Sequence, residues 1–146
     1  MNREIIFRGL SVETKEWIYG YYVDKNGIET DFPTIQPLKT TKNIPISWEI
    51  DKNTLGQYTG LTDKNGKKIF EGDIIDIYQT VNGYNQFVIV YNNYQFTAEY
   101  YNEKTKRRTH RLYEYDLDEL FEVNEYEKEI EVIGNIYENN LESKGE

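Results

Sequence analysis

The stretch QYTGLTDKNGKKIFEGDIIDIY, residues 57–78, decides the fold class. Gln57 to Leu61 is strand-like, and Asp63-Lys-Asn-Gly66 is an Asn-Gly turn, a strong hairpin signal because both residues tolerate positive φ. Lys67 to Phe70 returns from that turn. Gly72, inside Glu71-Gly-Asp73, predicts a bulge or sharp bend. Asp73 to Tyr78 then runs on as a strand with Ile75 and Ile77 on one face. No βαβ spacing is present, which argues against a doubly wound parallel sheet.

Towards the N-terminus, Glu4–Leu10 reads as a strand, and so does Glu16–Val23, with Trp17, Tyr19 and Tyr21 on one face and Ile18 and Tyr22 on the other. A second DKNG turn at Asp24–Gly27 predicts a return strand over Gly27–Phe32. Pro33–Asn43 carries two prolines without periodicity and reads as a loop. Ile44–Ile50 resumes the alternation, and Pro45 confines that strand to an edge or to its first residues. Asp51–Gly56 is a turn or one helical turn. DKNG at 24 and 63 and DKN at 51 share no period, so they are reused turn chemistry and not a repeat.

Towards the C-terminus, Gln86–Tyr91 and Tyr94–Tyr101 are strands joined by a tight turn at Asn92-Asn93. Asn102–Arg111 is a polar, basic loop, and His110–Tyr115 a short strand. Asp116–Val123 is the helix candidate, with Asp116 as N-cap, Glu119 completing a capping box, and Leu117, Leu120 and Phe121 on one face. Glu129–Tyr137 is the last strand. The fold expected is mainly β: a small barrel-like or strongly curled antiparallel sheet with one short helix, with α+β as the alternative. A length of 146 residues implies a single domain over 1–146, with 1–50 and 51–138 as closely packed subdomains in the alternative division and 139–146 as a polar tail.

Composition narrows the function classes. Cysteine is absent, which removes disulfides, thiolate nucleophiles and Cys-based metal sites. Arg3, Glu4 and Arg8 interrupt any signal-peptide core, and no apolar run approaches the roughly 20 residues of a membrane helix. The expected location is cytoplasmic. A net charge of −9 argues against a general nucleic-acid binder, which needs cations to neutralise phosphates. Fourteen Tyr, six Phe and two Trp favour sheet, and tyrosine in particular suits interfaces.

No constellation carries catalysis. The single histidine, His110, sits among Arg107, Arg108 and Arg111, whose charge disfavours the imidazolium that a general base must become. The usual zinc sites draw on several Cys and His ligands, and this chain offers one candidate in all. Asp63-Lys-Asn65-Gly66 opens like a calcium loop but places Lys67 and Lys68 where oxygen and glycine are required. Glu71, Asp73 and Asp76 are the available paired carboxylates, yet Asp73 and Asp76 fall on opposite strand faces. Gly56, Gly60, Gly66 and Gly72 form no phosphate-loop spacing. Lys104, Lys106, Arg107, Arg108 and Arg111 form a basic patch, and Glu114–Glu131 holds nine acids against Lys128. Both blocks suit solvated surface first; the sharper readings are weak nucleic-acid binding by 104–111 and phosphate-backbone mimicry by 114–131.

Leu55 to Ile75 resembles the central signature of the YopX-like family of bacteriophage and prophage proteins. Arg8-Gly9 with Trp17-Ile-Tyr-Gly20 is similar to that family's opening, and Ile130 to Glu138 to its close, while about 79–128 matches least. The resemblance implies a mostly β architecture and a phage accessory protein in the host bacterial cytoplasm. It supplies no catalytic residue, cofactor or metal. Gln57, Tyr58, Thr59, Asp63, Lys67, Glu71 and Asp73 are the candidates for a shared surface, against the reading that they hold the fold. The function expected is a non-enzymatic module that binds an unknown protein or a second copy of itself, with no membrane and no cofactor. The alternatives are a nucleic-acid-related role and a metal-assisted hydrolase using Glu71 and Asp73.

Overall fold

The computed structural model describes residues 4–23, 33–38, 47–79, 83–92, 94–102, 104, 107–109, 115–116 and 130–138. The chain divides into two compact units, Met1–Gly60 and Leu61–Glu146. Both are built from antiparallel sheet, as the alternating aromatic and β-branched residues require.

In the first unit the strands are β1 (Phe7–Leu10), β2 (Trp17–Val23), β3 (Thr34–Pro37), β4 (Trp48–Glu49) and β5 (Gly56–Thr62), the last crossing into the second unit. Their order is β4-β3-β2-β1-β5. Ile6, Leu10, Ile35, Ile50 and Tyr58 are buried. The expected single helical turn is the 3-10 turn Lys52–Thr54, capped by the Asp51 carboxylate accepting the Asn53 N–H at 3.0 Å. Thr54 fastens it to β1 by accepting the Leu10 N–H at 2.9 Å.

The loop expected over Pro33–Asn43 is instead a strand at its start. β3 pairs with β2 from Val23↔Thr34 to Gly20↔Pro37. The proline is tolerated because of where its missing N–H would point. Leu38 N–H donates to Tyr19 O at 3.2 Å, so by alternation the Pro37 nitrogen faces away from β2, on the side where β4 reaches only Thr34 and Ile35. The return strand expected over Gly27–Phe32 and the DKNG turn before it lie outside the described residues. β4 stands at the end of the strand order, as an edge strand should, although Pro45 itself is not among the described residues.

β2 and β3 approach closely at Gly20. A Cβ there would stand 1.8 Å from Gln36 O, a backbone atom that cannot swing aside. Only glycine fits.

In the second unit the end of β5 turns through Asp63–Gly66 into β6 (Lys68–Phe70). Then come β7 (Asp73–Gln79), β8 (Gly83–Asn92), β9 (Gln95–Asn102), β10 (Arg107–Thr109), β11 (Tyr115–Asp116), β12 (Ile130–Asn135) and a helical turn at 136–138. The sheet order is β10-β9-β8-β7-β12, with β11 also on β9. Ile69, Ile75, Ile77, Phe87, Ile89, Ala98 and Ile130 form the core on one face. Ile74, Val88 and Tyr101 form a smaller cluster. Asp73 and Asp76 do fall on opposite faces by strand alternation.

The strand orders run from one end strand to another, so the sheets are not closed into a barrel. Asn102–Arg111 is not loop throughout, since Arg107–Thr109 pairs with β9 as β10. Asp116 ends a strand opposite Thr97, and the helix expected after it, at 117–123, lies outside the described residues, as does His110.

The β8–β9 turn also differs by one residue. The strands pair out to Asn92 and Gln95, so Tyr94, expected to start the second strand, lies in the turn, with a φ of 67° and 96% exposed. Left-handed backbone costs an L-residue about 1–2 kcal/mol, and glycine's extra unfolded-state freedom costs about 0.5–1 kcal/mol. Tyr94→Gly is therefore expected to stabilise the protein by about 0.5–1 kcal/mol in chemical denaturation, the relief exceeding the entropy cost. Gly20→Ala is expected to destabilise it by about 2–3 kcal/mol through overpacking against β3. An unchanged midpoint for Gly20→Ala would contradict the close approach.

Candidate functional site

The seven residues singled out from the central signature do not form one exposed patch. Tyr58, Thr59, Asp63 and Asp73 are buried, Gln57 and Glu71 half-buried, and Lys67 exposed. Gln57, Tyr58 and Thr59 belong to the first unit and the other four to the second. Gln57 pairs with Phe7 of β1, and Tyr58 N–H donates to Ile6 O at 2.9 Å, so this part of the signature joins β5 to the N-terminal strand.

Asp63 is the best-connected of the seven. One carboxylate oxygen accepts the N–H groups of Asn65 at 2.8 Å and Lys67 at 2.9 Å, which closes the turn from inside. The other oxygen accepts the Val132 N–H at 3.0 Å, from a strand 69 residues away. The Asp63 N–H donates to Lys67 O, and Gly66 N–H to Asp63 O, completing the hairpin. Beside it, Lys64 N–H donates to Ile130 O at 2.9 Å, and the Lys64 ammonium lies 3.2 Å from the Glu131 carboxylate. Burial pushes the Asp63 carboxyl up, but the Val132, Lys67 and Asn65 N–H groups and the Lys67 charge outweigh it, so its pKa lies below the ordinary 3.8.

Asp73 and Gly72 build the bend between β6 and β7. The Asp73 carboxylate accepts the Phe70 N–H at 2.8 Å. Gly72 has φ 90°, donates its N–H to Ile89 O at 2.8 Å, and accepts the Ile136 N–H at 3.0 Å. A Cβ on Gly72 would stand 2.6 Å from the Tyr137 ring. Asn135 caps the turn that carries Tyr137, its side-chain oxygen accepting the N–H groups of Tyr137 at 3.0 Å and Glu138 at 2.9 Å. The signature and the C-terminal strand are thus one hydrogen-bonded framework. Glu71 and Asp73 are neighbours in sequence, but the Asp73 carboxylate is engaged with backbone. Among the described residues no three His, Cys, Asp or Glu side chains are grouped to hold a metal ion.

Of the basic patch, Lys104 is exposed and Arg107 and Arg108 belong to β10, while Lys106 and Arg111 lie outside the described residues. Most of the acidic block, 117–129, lies outside them as well. No helix among the described residues is long and apolar enough to cross a membrane.

Among the described residues, two exposed tyrosines line up on one face of β2. Along β2, Tyr19 is 41% and Tyr21 54% exposed, in line with half-buried Trp17. Leu38, bonded through its N–H to Tyr19 O, is 44% exposed beside them. Arg8, opposite Tyr19 in the register, is buried with its guanidinium carbon 4.7 Å from the Trp17 ring centre. That cation–π contact fixes the first ring of the row. Strand alternation placed Trp17, Tyr19 and Tyr21 together in the sequence, but nothing there identified Arg8 as their buried support. On the opposite face Tyr22 is engaged by Phe7, ring centres 5.8 Å apart.

A family model described as YopX protein matches residues 6–142, nearly the whole chain. No curated protein matches it.

Asp63→Asn keeps the shape but aims an NH₂ group at an N–H donor, whichever way the amide is turned. It is expected to cost about 1–3 kcal/mol, the range for leaving a buried hydrogen-bonding group unsatisfied. Because the folded-state pKa is depressed, the wild-type carboxylate stabilises the fold fully above its ordinary 3.8 and loses that contribution as pH falls from there through the folded value. Urea titrations across this acid range are expected to show a shallower loss of stability for Asp63→Asn than for wild type. Parallel curves would contradict the role given to this carboxylate.

Proposed function

This chain belongs to the YopX protein family, and from that premise we propose that it is a phage or prophage accessory protein of the host bacterial cytoplasm that acts by binding another protein, without catalysis. The observation that carries this reading is the row of Trp17, Tyr19 and Tyr21 on one face of β2, with Leu38 alongside. Tyrosine on a strand loses little side-chain entropy on binding, offers a broad apolar ring, and keeps a hydroxyl for a rim contact. Aromatic anchors of this kind dominate the energetics of protein interfaces. The strand beneath is stiffened by pairing on both sides, with β1 and β3, so the rings are presented on a rigid element.

The signature residues support the same reading from the other direction. Asp63 and Asp73, the carboxylates best placed to suggest chemistry, accept backbone N–H groups at 2.8–3.0 Å and serve the frame. A binding role draws on the aromatic face without requiring those carboxylates to react.

The test is a comparison of wild type with Tyr19→Ser/Tyr21→Ser as immobilised bait in host lysate, read by quantitative mass spectrometry. Loss of two aromatic anchors is expected to weaken capture of a specific host protein by at least about tenfold, equivalent to about 1.4 kcal/mol. The melting temperature should change little, since both rings are exposed. Equal capture by the two proteins, or capture of nothing by either, would contradict the proposal.

A further inference from the structure

Asn65 is exposed in the Asp63–Gly66 turn and is followed by Gly66, which has a φ of 78° and open space where a Cβ would stand. A glycine there leaves its own nitrogen unhindered towards the Asn65 side-chain amide. In the closed turn that nitrogen is held, because the Gly66 N–H donates to Asp63 O at 2.9 Å. Reaction between the two therefore runs through local openings, which exposed turns make at low cost. Asn65 also stands among the ties that fasten the turn. Its N–H shares one Asp63 carboxylate oxygen with the Lys67 N–H, at 2.8 and 2.9 Å, while the other oxygen accepts the Val132 N–H at 3.0 Å. Its Nδ2 lies 3.4 Å from Glu131 Oε1 on β12.

We propose that Asn65 is a site of spontaneous deamidation, and that its conversion to an acid loosens the Asp63 turn from β12. In an opening, the Gly66 nitrogen gives up its proton to hydroxide and bonds to the Asn65 side-chain amide carbon. The bond from that carbon to Nδ2 breaks, and ammonia leaves with a proton from water. Water then opens the cyclic imide. Cleavage at the side-chain carbonyl restores the main chain with aspartate at 65. Cleavage at the main-chain carbonyl gives isoaspartate, whose chain runs through the side chain and is one atom longer. The net change is one water consumed and one ammonia released. Aspartate sets a carboxylate where an amide donor faced Glu131. Isoaspartate inserts its extra atom between the two N–H groups that share one Asp63 oxygen, so both cannot keep that partner. The hold on Val132 rests on the same carboxylate. The inference is independent of the aromatic row of β2.

The test ages the full-length protein in mildly alkaline buffer and separates the more acidic fractions by ion exchange. Peptide mass spectrometry with an isoaspartyl methyltransferase assay then reads residue 65. Aspartate and isoaspartate are expected there. In fractions converted at 65, hydrogen exchange at the Val132 amide is expected to be at least about tenfold faster, as for the loss of one buried hydrogen bond. Asn-Gly also occurs at 26–27 and 82–83, so Asn65→Gln, whose longer side chain closes the ring far more slowly, is aged in parallel. Its Val132 exchange is expected to stay at the unaged rate. An amide still intact at 65 after ageing that converts the urea-unfolded chain would overturn the proposal. So would protein converted at 65 whose Val132 amide exchanges as before, or a rise that Asn65→Gln shares.

Discussion

A buried carboxylate with three backbone N–H donors is the constraint on which the second unit depends. Asp63 closes its own turn through Asn65 and Lys67, and through Val132 it binds that turn to the final strand. Removing such a charge from water is unfavourable unless its oxygens are satisfied. Here the donors are supplied by backbone, which adopts this arrangement only when the hairpin and β12 are both in register. The carboxylate therefore rewards one register and penalises its neighbours. The bend at Gly72 repeats the logic at shorter range, with its N–H and C=O committed to β8 and to the turn after β12.

The same framework engages carboxylates that look like chemistry in the sequence. Glu71-Gly-Asp73 has the composition of an acid site, yet Asp73 accepts the Phe70 N–H and fixes a bend. The exposed aromatic residues of β2 stand in the opposite relation. They contribute less to the core than their size suggests, and half-buried Trp17, in line with them, is in contact with a buried guanidinium. The carboxylates and glycines thus hold the frame, while Tyr19 and Tyr21 stay exposed.

Much of this fold is legible wherever the signal is local. The Asn-Gly turn at 65–66, the bend at Gly72, the shared face of Ile75 and Ile77, the 3-10 turn after Asp51 and the last strand all follow from a few adjacent residues. Reading fails where the deciding partner is remote. Pro37 argues for a loop until its place opposite Gly20 of β2 is known, and Arg107–Thr109 looks like solvated loop until β9 is beside it. Tyr94 reads as the start of a strand, yet the pairing of Asn92 with Gln95 leaves it in the turn with a left-handed φ. The candidate site fared similarly: Asp63 was conspicuous as a turn residue, but its third donor lies across the sheet and leaves no local trace.

Carbon-detected NMR titration of the Asp63 side-chain carboxyl in the folded protein is the most direct measurement of the central claim. An ionised acceptor of three backbone N–H groups must titrate below 3.8, with the Val132 amide resonance moving in step. A carboxyl that titrates at or above that value, or independently of Val132, would contradict the account.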